Sequence, residues 1–183
     1  MPGYRPAAAL LTLCLLLAGC QGSGGARPTP SIHVQGSGVK CEGDDHGFED
    51  AQLGWSFCYP ATWRFLERVQ RSDSPPGTDV ALNITDVSTG PDSGKFAFLI
   101  IGTYDRGSSS TLKDWLAVNL RIQPQLEPIA WGNAQEAVRI SGQSKRFALT
   151  QHHVVELDPR SGAGNLDLEA ALAPRLRTWK FIY

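Results

Sequence analysis

The stretch that most constrains the fold is Leu53 to Arg64, which reads LGWSFCYPATWR. Ser56 and Cys58 alternate there with three aromatic residues, the period of a strand that buries one face: Trp55, Phe57 and Tyr59. Pro60 has no N–H group to donate to a neighbouring strand, so we expect regular pairing to stop there. Trp63 follows, and the rest of the chain has to supply the sheet and helices that bury it.

The composition bounds the class of protein. The chain has 183 residues, of which 42% are hydrophobic, enough for the core of one domain. Its net charge is −1, and without residues 1–19, which hold Arg5 and no acid, 16 basic and 18 acidic side chains remain. Positive and negative charges are nearly equal in number, which does not favour a surface that binds nucleic acid or a membrane electrostatically. We therefore expect no nucleic-acid partner.

Residues 1–19 have the organisation of an export signal. Arg5 is the positive n-region, and the apolar run from Ala7 to Ala18 is too short to span a bilayer. The run ends in Leu17-Ala-Gly-Cys20, which resembles the bacterial lipobox, where the signal is cut before a Cys that carries lipid such as palmitate. An ordinary cleaved signal that contains a Cys is the alternative. The resemblance implies a lipoprotein held by Cys20 on the extracytoplasmic face of a bacterial cell membrane, since two or more acyl chains anchor a protein stably.

Residues 20–38 are rich in Gly, Ser and Pro, a composition typical of a flexible tether. Residues 39–183 are then left as a single domain. The predicted organisation is therefore a signal peptide, a tether and one folded unit that the tether holds away from the membrane.

Two cysteines, Cys41 and Cys58, remain in that domain. An even pair in an exported protein favours a disulfide bond, and two free buried thiols are the alternative. Because Cys58 alternates with the aromatic residues of its strand, the bridge would hold the loop Glu42 to Gln52 across the outer face of the strand. That loop holds five side chains that could bind a cation: Asp44, Asp45, His46, Glu49 and Asp50. Their spacing does not match an EF-hand, and we expect a solvated loop with no metal.

The pattern after Trp63 predicts several strands and two helices. Strands are expected over about 79–87, 95–104, 134–141 and 145–157, with 95–104 central and buried on both faces, and a further short strand over 129–131. A helix is expected over about 112–122, capped by Thr111, and a second one from Leu168 to Trp179 that Pro174 kinks or divides. Hairpins outnumber crossovers, so the fold class is α+β, with a mainly antiparallel sheet flanked by helices.

The lipobox, the Gly-rich tether and the GWSFCYPATW corner together resemble bacterial lipoproteins with a Mog/PsbP-like domain of the LpqN type. The resemblance spans about Leu53 to Tyr183. It implies an antiparallel sheet with helices on its faces, and accessory or binding roles rather than catalysis. The Cys41–Cys58 pair is not attributed to the family, and the resemblance assigns no functional residue to this chain.

No catalytic, cofactor-binding or metal-binding residue is assigned from the sequence. The Gly-x-Ser-x-Gly elbow, the P-loop and the Cys-x-x-Cys motif are all missing from it. His152 and His153 are adjacent on a predicted strand, so their side chains should point to opposite faces. We therefore expect a non-catalytic binding or accessory module that meets an envelope protein or a small ligand without a cofactor. The alternative is an extracytoplasmic hydrolase with a site near His152 and His153, for which Ser141, Ser144 and Asp158 are conceivable partners.

Overall fold

The computed structural model describes residues 39–73, 76–88, 95–121, 123–164 and 166–182, without the side chains of residues 66–76. The predicted signal, lipobox and tether lie outside the described residues. Within the described ranges the elements follow one another in this order: β1 (His46–Asp50), β2 (Trp55–Tyr59), β3 (Trp63–Asp73), β4 (Pro76–Asp86), β5 (Phe96–Asp105), α1 (Leu112–Asn119), β6 (Leu126–Pro128), β7 (Glu136–Ile140), β8 (Arg146–Leu149), β9 (His153–Ser161), α2 (Leu168–Leu172), a 3₁₀ helix (Ala173–Thr178) and β10 (Lys180–Phe181).

The strands form two sheets, and their neighbouring strands pair antiparallel. The larger sheet has the order β3-β4-β5-β9-β8-β7-β6, and the smaller has the order β1-β2-β10. Two series of hairpins, β3 to β5 and β6 to β9, meet where β5 pairs with β9. The predicted α+β class with a mainly antiparallel sheet is therefore confirmed.

An aromatic core joins the two sheets. Phe57 of β2 stacks on Trp179, with ring centroids 4.6 Å apart and planes 8° apart. The indole of Trp55 donates to the Thr103 hydroxyl of the larger sheet at 2.9 Å. As predicted, β2 ends at Tyr59 and Trp63 is buried. The strand is buried on both faces rather than on one, because the 3₁₀ helix covers the Cys58 side, where the Cys58 N–H donates to the Thr178 hydroxyl.

The predicted disulfide joins Cys41 to Cys58, with an S–S distance of 2.06 Å. The prediction of a loop throughout Glu42 to Gln52 is wrong, because β1 forms inside it. Phe48 explains the difference, because it is buried and stacks on Trp55 with ring centroids 5.8 Å apart. Burial of this ring holds the otherwise acidic segment against the edge of β2, where it pairs as a strand.

Three further predictions need correction. The strand expected over 145–157 is divided into β8 and β9 by a turn that Thr150 closes, since its N–H and hydroxyl donate to the His153 carbonyl. The short strand expected at 129–131 lies instead at Leu126–Pro128, where it can pair with β7. Strand β5 is central, but its outer face is buried only from Gly102 onward, because α1 covers one end of that face alone.

Both helices are shorter than predicted. Thr111 caps α1 as expected, and the helix ends at Asn119 rather than near residue 122. Trp115 anchors it on the outer face of the larger sheet, 5.5 Å from the Tyr104 ring between centroids. The C-terminal helix is divided just before Pro174, at the end of α2, and continues as the 3₁₀ helix. This division is the one the proline predicted.

Candidate functional site

The two candidate histidines do not lie in a catalytic arrangement. His152 is exposed in the turn between β8 and β9, and His153 is half-buried at the start of β9. The prediction that both lie on one strand is wrong, because β9 begins at His153 and leaves His152 in the turn. Their ring centroids are 6.5 Å apart. Burial lowers the pKa of His153, and the neighbouring His152 lowers it further, with Asp105 acting weakly in the opposite direction.

Two other members of the conceivable hydrolase site, Ser141 and Asp158, are engaged elsewhere. The Ser141 hydroxyl donates to Glu127 at 2.7 Å, on the far edge of the larger sheet. Asp158 lies five residues along β9 from His153, and its carboxylate accepts from Arg160. In a strand this separation is about 17 Å. The described structure therefore does not bring a nucleophile, a base and an acid together around these histidines.

Two of the candidate cation ligands before β2, Asp45 and Asp50, serve the fold. Asp45 makes a two-pronged ion pair with Arg175 at 2.6 and 2.8 Å, and Asp50 accepts from the N–H groups of Gln52 and Leu53. Over the described part of the chain, no group of three or more His, Cys, Asp and Glu side chains is arranged to hold a metal ion.

A polar cluster that sequence reasoning missed lies across the outer face of β4, β5 and β9. The Tyr104 hydroxyl is 2.9 Å from Asp79 Oδ1 and 3.2 Å from Glu156 Oε2. Gly102 lies between these two acids, since it pairs with Asp79 on one side and with Glu156 on the other. The phenol of Tyr104 lies across this glycine, so the strand register and the missing side chain together place the hydroxyl between the carboxylates.

Lysine and arginine complete the cluster. The Lys145 ammonium lies 2.5 Å from Glu156 and 3.3 Å from Asp158, and Arg160 lies 2.8 Å from Asp158. Burial acts to lower the pKa of Lys145, but its hydrogen bond to Glu156 and the two negative charges together raise it above its ordinary value. Burial also raises the pKa of Tyr104, and the neighbouring carboxylates raise it further. Lys145 is therefore charged and Tyr104 neutral near pH 7, and neither is a ready base or nucleophile.

An apolar ridge continues from this cluster along β5. Phe96, Phe98 and Ile100 point to the same face as Tyr104, because side chains alternate along a strand. Phe96 is 40% exposed, and its ring meets that of Phe98 edge-on with centroids 5.6 Å apart. On the other face of the same strand, Ala97, Leu99 and Ile101 are fully buried in the core between the sheets. Among the described residues, no element covers the outer face of β4, β5 and β9 beyond the part under α1, and we call this part the open face.

A cavity of about 240 Å³ lies at the end of β9 beside this face. Arg160 of the cluster lines it, together with Ser144 and with Glu169 of α2. Glu169 also pairs with Arg146, which is 2% exposed and lies on the core side of the sheet. Two guanidinium nitrogens of Arg146 and one carboxylate oxygen of Glu169 are buried without a hydrogen-bond partner among the described residues.

One sequence signal could have indicated the cluster. Gly102 interrupts the most apolar run of the domain, and a glycine inside a strand often marks a close approach by another group. That signal indicates where on β5 the cluster lies, but it does not identify the residues that form it. Asp79 and Glu156 belong to strands that are far apart in the sequence.

The chain gives no match to any family model, curated protein or solved structure with which it was compared. Among the described helices, none has the length and apolar character needed to cross a membrane.

Proposed function

We propose that this chain is a lipid-anchored bacterial envelope lipoprotein whose domain is a non-catalytic binding or accessory module. Anchoring is supported by Leu17-Ala-Gly-Cys20 at the end of an apolar run. The antiparallel sheet with helices on its faces supports a Mog/PsbP-like domain of the LpqN type as the finer fold assignment. Fold likeness alone does not establish a function, so the binding role is argued from the site.

The open face carries the proposal of binding. It presents partly exposed phenylalanine side chains beside charged groups that are held in place by one another, the combination used for a specific protein contact. The carboxylates of the cluster accept hydrogen bonds, and its lysine and tyrosine keep their protons at neutral pH. These groups suit recognition better than proton transfer.

Replacement of one ridge residue tests the binding role. We expect the tagged full chain to retain a specific partner from its own cells, and Phe98→Ser to lose it. The matched control is Val118→Ser, because Val118 is 72% exposed on α1, away from the ridge. Equal recovery with both variants would remove the open face from the proposal.

The anchor and the alternative activity each have a direct test. Cys20→Ala should abolish labelling with a fatty-acid probe, and continued labelling would contradict the lipobox assignment.

The full chain should show no esterase, peptidase or glycosidase turnover. Turnover that is lost in His152→Ala or His153→Ala, with folding intact, would instead establish the hydrolase.

A further inference from the structure

We propose that the open face binds a basic amphipathic helix of a partner protein. The inference rests on the proposed binding function and names the chemistry of its partner. It depends on three features of the described residues: the width of the face, the order of apolar and acidic groups along it, and its charge.

The uncovered part of the face has the width of one helix. Strands β4 and β9 flank β5, so they are about 10 Å apart, close to the diameter of an α-helix with its side chains. The adjoining part of the same face already carries α1, which packs through Trp115 on Tyr104 and Phe147. A second helix beside α1 would cover the ridge in the same manner.

The order of side chains sets the length of that helix. Asp79 pairs with Gly102, so Ile100, Phe98 and Phe96 follow it along the face in successive same-side steps of about 7 Å. The whole row measures about 20 Å, which an α-helix covers in about 13 residues. The apolar part of the row, from Phe96 to Ile100, measures about 14 Å, so the partner needs an apolar stripe of two to three turns with a basic residue about one turn beyond its end.

The charge of the face selects a basic partner. The three carboxylates of the cluster, Asp79, Glu156 and Asp158, face two cations, Lys145 and Arg160. Asp79 is the carboxylate left without a cation among the described side chains, and its partner there is the Tyr104 hydroxyl. One hydroxyl proton cannot serve both Asp79 and Glu156 at once, so a donor from a Lys or Arg side chain fits beside Asp79.

Site-specific photo-crosslinking in living cells tests this inference. A photoreactive phenylalanine analogue replaces Phe98 in the full chain, and the crosslinked segment is sequenced by mass spectrometry. We expect a segment with an apolar helical stripe and a Lys or Arg beyond its end. The same analogue at Val118 reports on a different surface.

Charge variants decide the chemistry. Asp79→Lys should lower the crosslinking yield at position 98 by about tenfold or more, because like charges oppose association. Asp79→Asn should lower it less, and it keeps the test valid should the lysine variant not fold. The matched control is Asp44→Lys, an exposed acid in the loop before β1, which should leave the yield unchanged.

Each other outcome overturns the inference. A crosslink to a second copy, to lipid or to a segment without basic residues shows that the face binds something else. A yield that Asp79→Lys does not change removes the charge argument. Crosslinks at position 118 without any at position 98 contradict this inference but retain the proposed binding function, on a different surface. Crosslinks at neither position contradict both the inference and the proposed binding function.

Discussion

The phenol of Tyr104 lies directly over Gly102, and a Cβ atom built at residue 102 would be 2.4 Å from the Tyr104 hydroxyl oxygen. This contact is too close for any side chain, so the glycine is a condition for the polar cluster. Gly77 on β4 makes a similar approach to the other side of the ring, where a Cβ would lie 2.5 Å from Tyr104 Cδ1. Two glycines on neighbouring strands thus make room for one phenol.

We expect Gly102→Ala to lower the free energy of unfolding by about 1–3 kcal/mol, because the phenol must leave its hydrogen bonds with Asp79 and Glu156. Urea denaturation measures the change. In a Tyr104→Ala background the same substitution should cost much less, since nothing is displaced. Equal costs in both backgrounds would show that the contact does not carry the effect.

Alkaline pH should destabilise the domain. The unfolded chain releases the protons of Tyr104 and Lys145 near their ordinary pKa values of about 10, whereas the fold raises both pKa values and retains the protons. The unfolded state then binds fewer protons, so the free energy of unfolding falls as the pH rises above about 10. Tyr104→Phe should make this fall shallower, which urea denaturation between pH 8 and pH 11 would reveal.

Loss of the disulfide should cost about 3 kcal/mol, the loop-closure estimate for a sequence separation of 17 residues. Cys41→Ser is the variant of choice, because Cys58 is fully buried in the middle of the small sheet. Thermal unfolding of the variant, with and without reductant, measures the effect. A reductant should lower the stability of the native chain and leave Cys41→Ser unchanged.

The ion pair between buried Arg146 and partly exposed Glu169 gives a fourth prediction. Glu169→Ala should destabilise the domain by about 2–4 kcal/mol, because it leaves a guanidinium that is 2% exposed without its counter-charge. Replacing both partners, as Arg146→Met with Glu169→Leu, should cost less than Glu169→Ala alone. The exposed pair of Arg177 and Glu42 is the control, and Glu42→Ala should change stability by less than about 1 kcal/mol.

The parts of the fold that sequence patterns predict are those decided by neighbouring residues. Pro60 ends β2 and Pro174 divides the last helix, because a proline lacks the N–H group that regular backbone hydrogen bonding needs at its own position. The turn between β8 and β9 was missed because Thr150 closes it without a Gly or Pro to mark it. The polar cluster was missed for a different reason: it depends on strand register, and the pairing of Asp79, Gly102 and Glu156 is a property of the whole sheet.

The position of the disulfide also determines how the domain would bear a mechanical load. In the proposed anchored form, a pull from the membrane reaches the domain through the residues just before Cys41. The disulfide passes that force directly to Cys58, and the segment between them, which contains β1, is bypassed. Tension therefore enters at the middle strand of the small sheet and cannot peel β1 away from its outer edge. A partner bound on the open face could be pulled against the anchor while β1 carries no load.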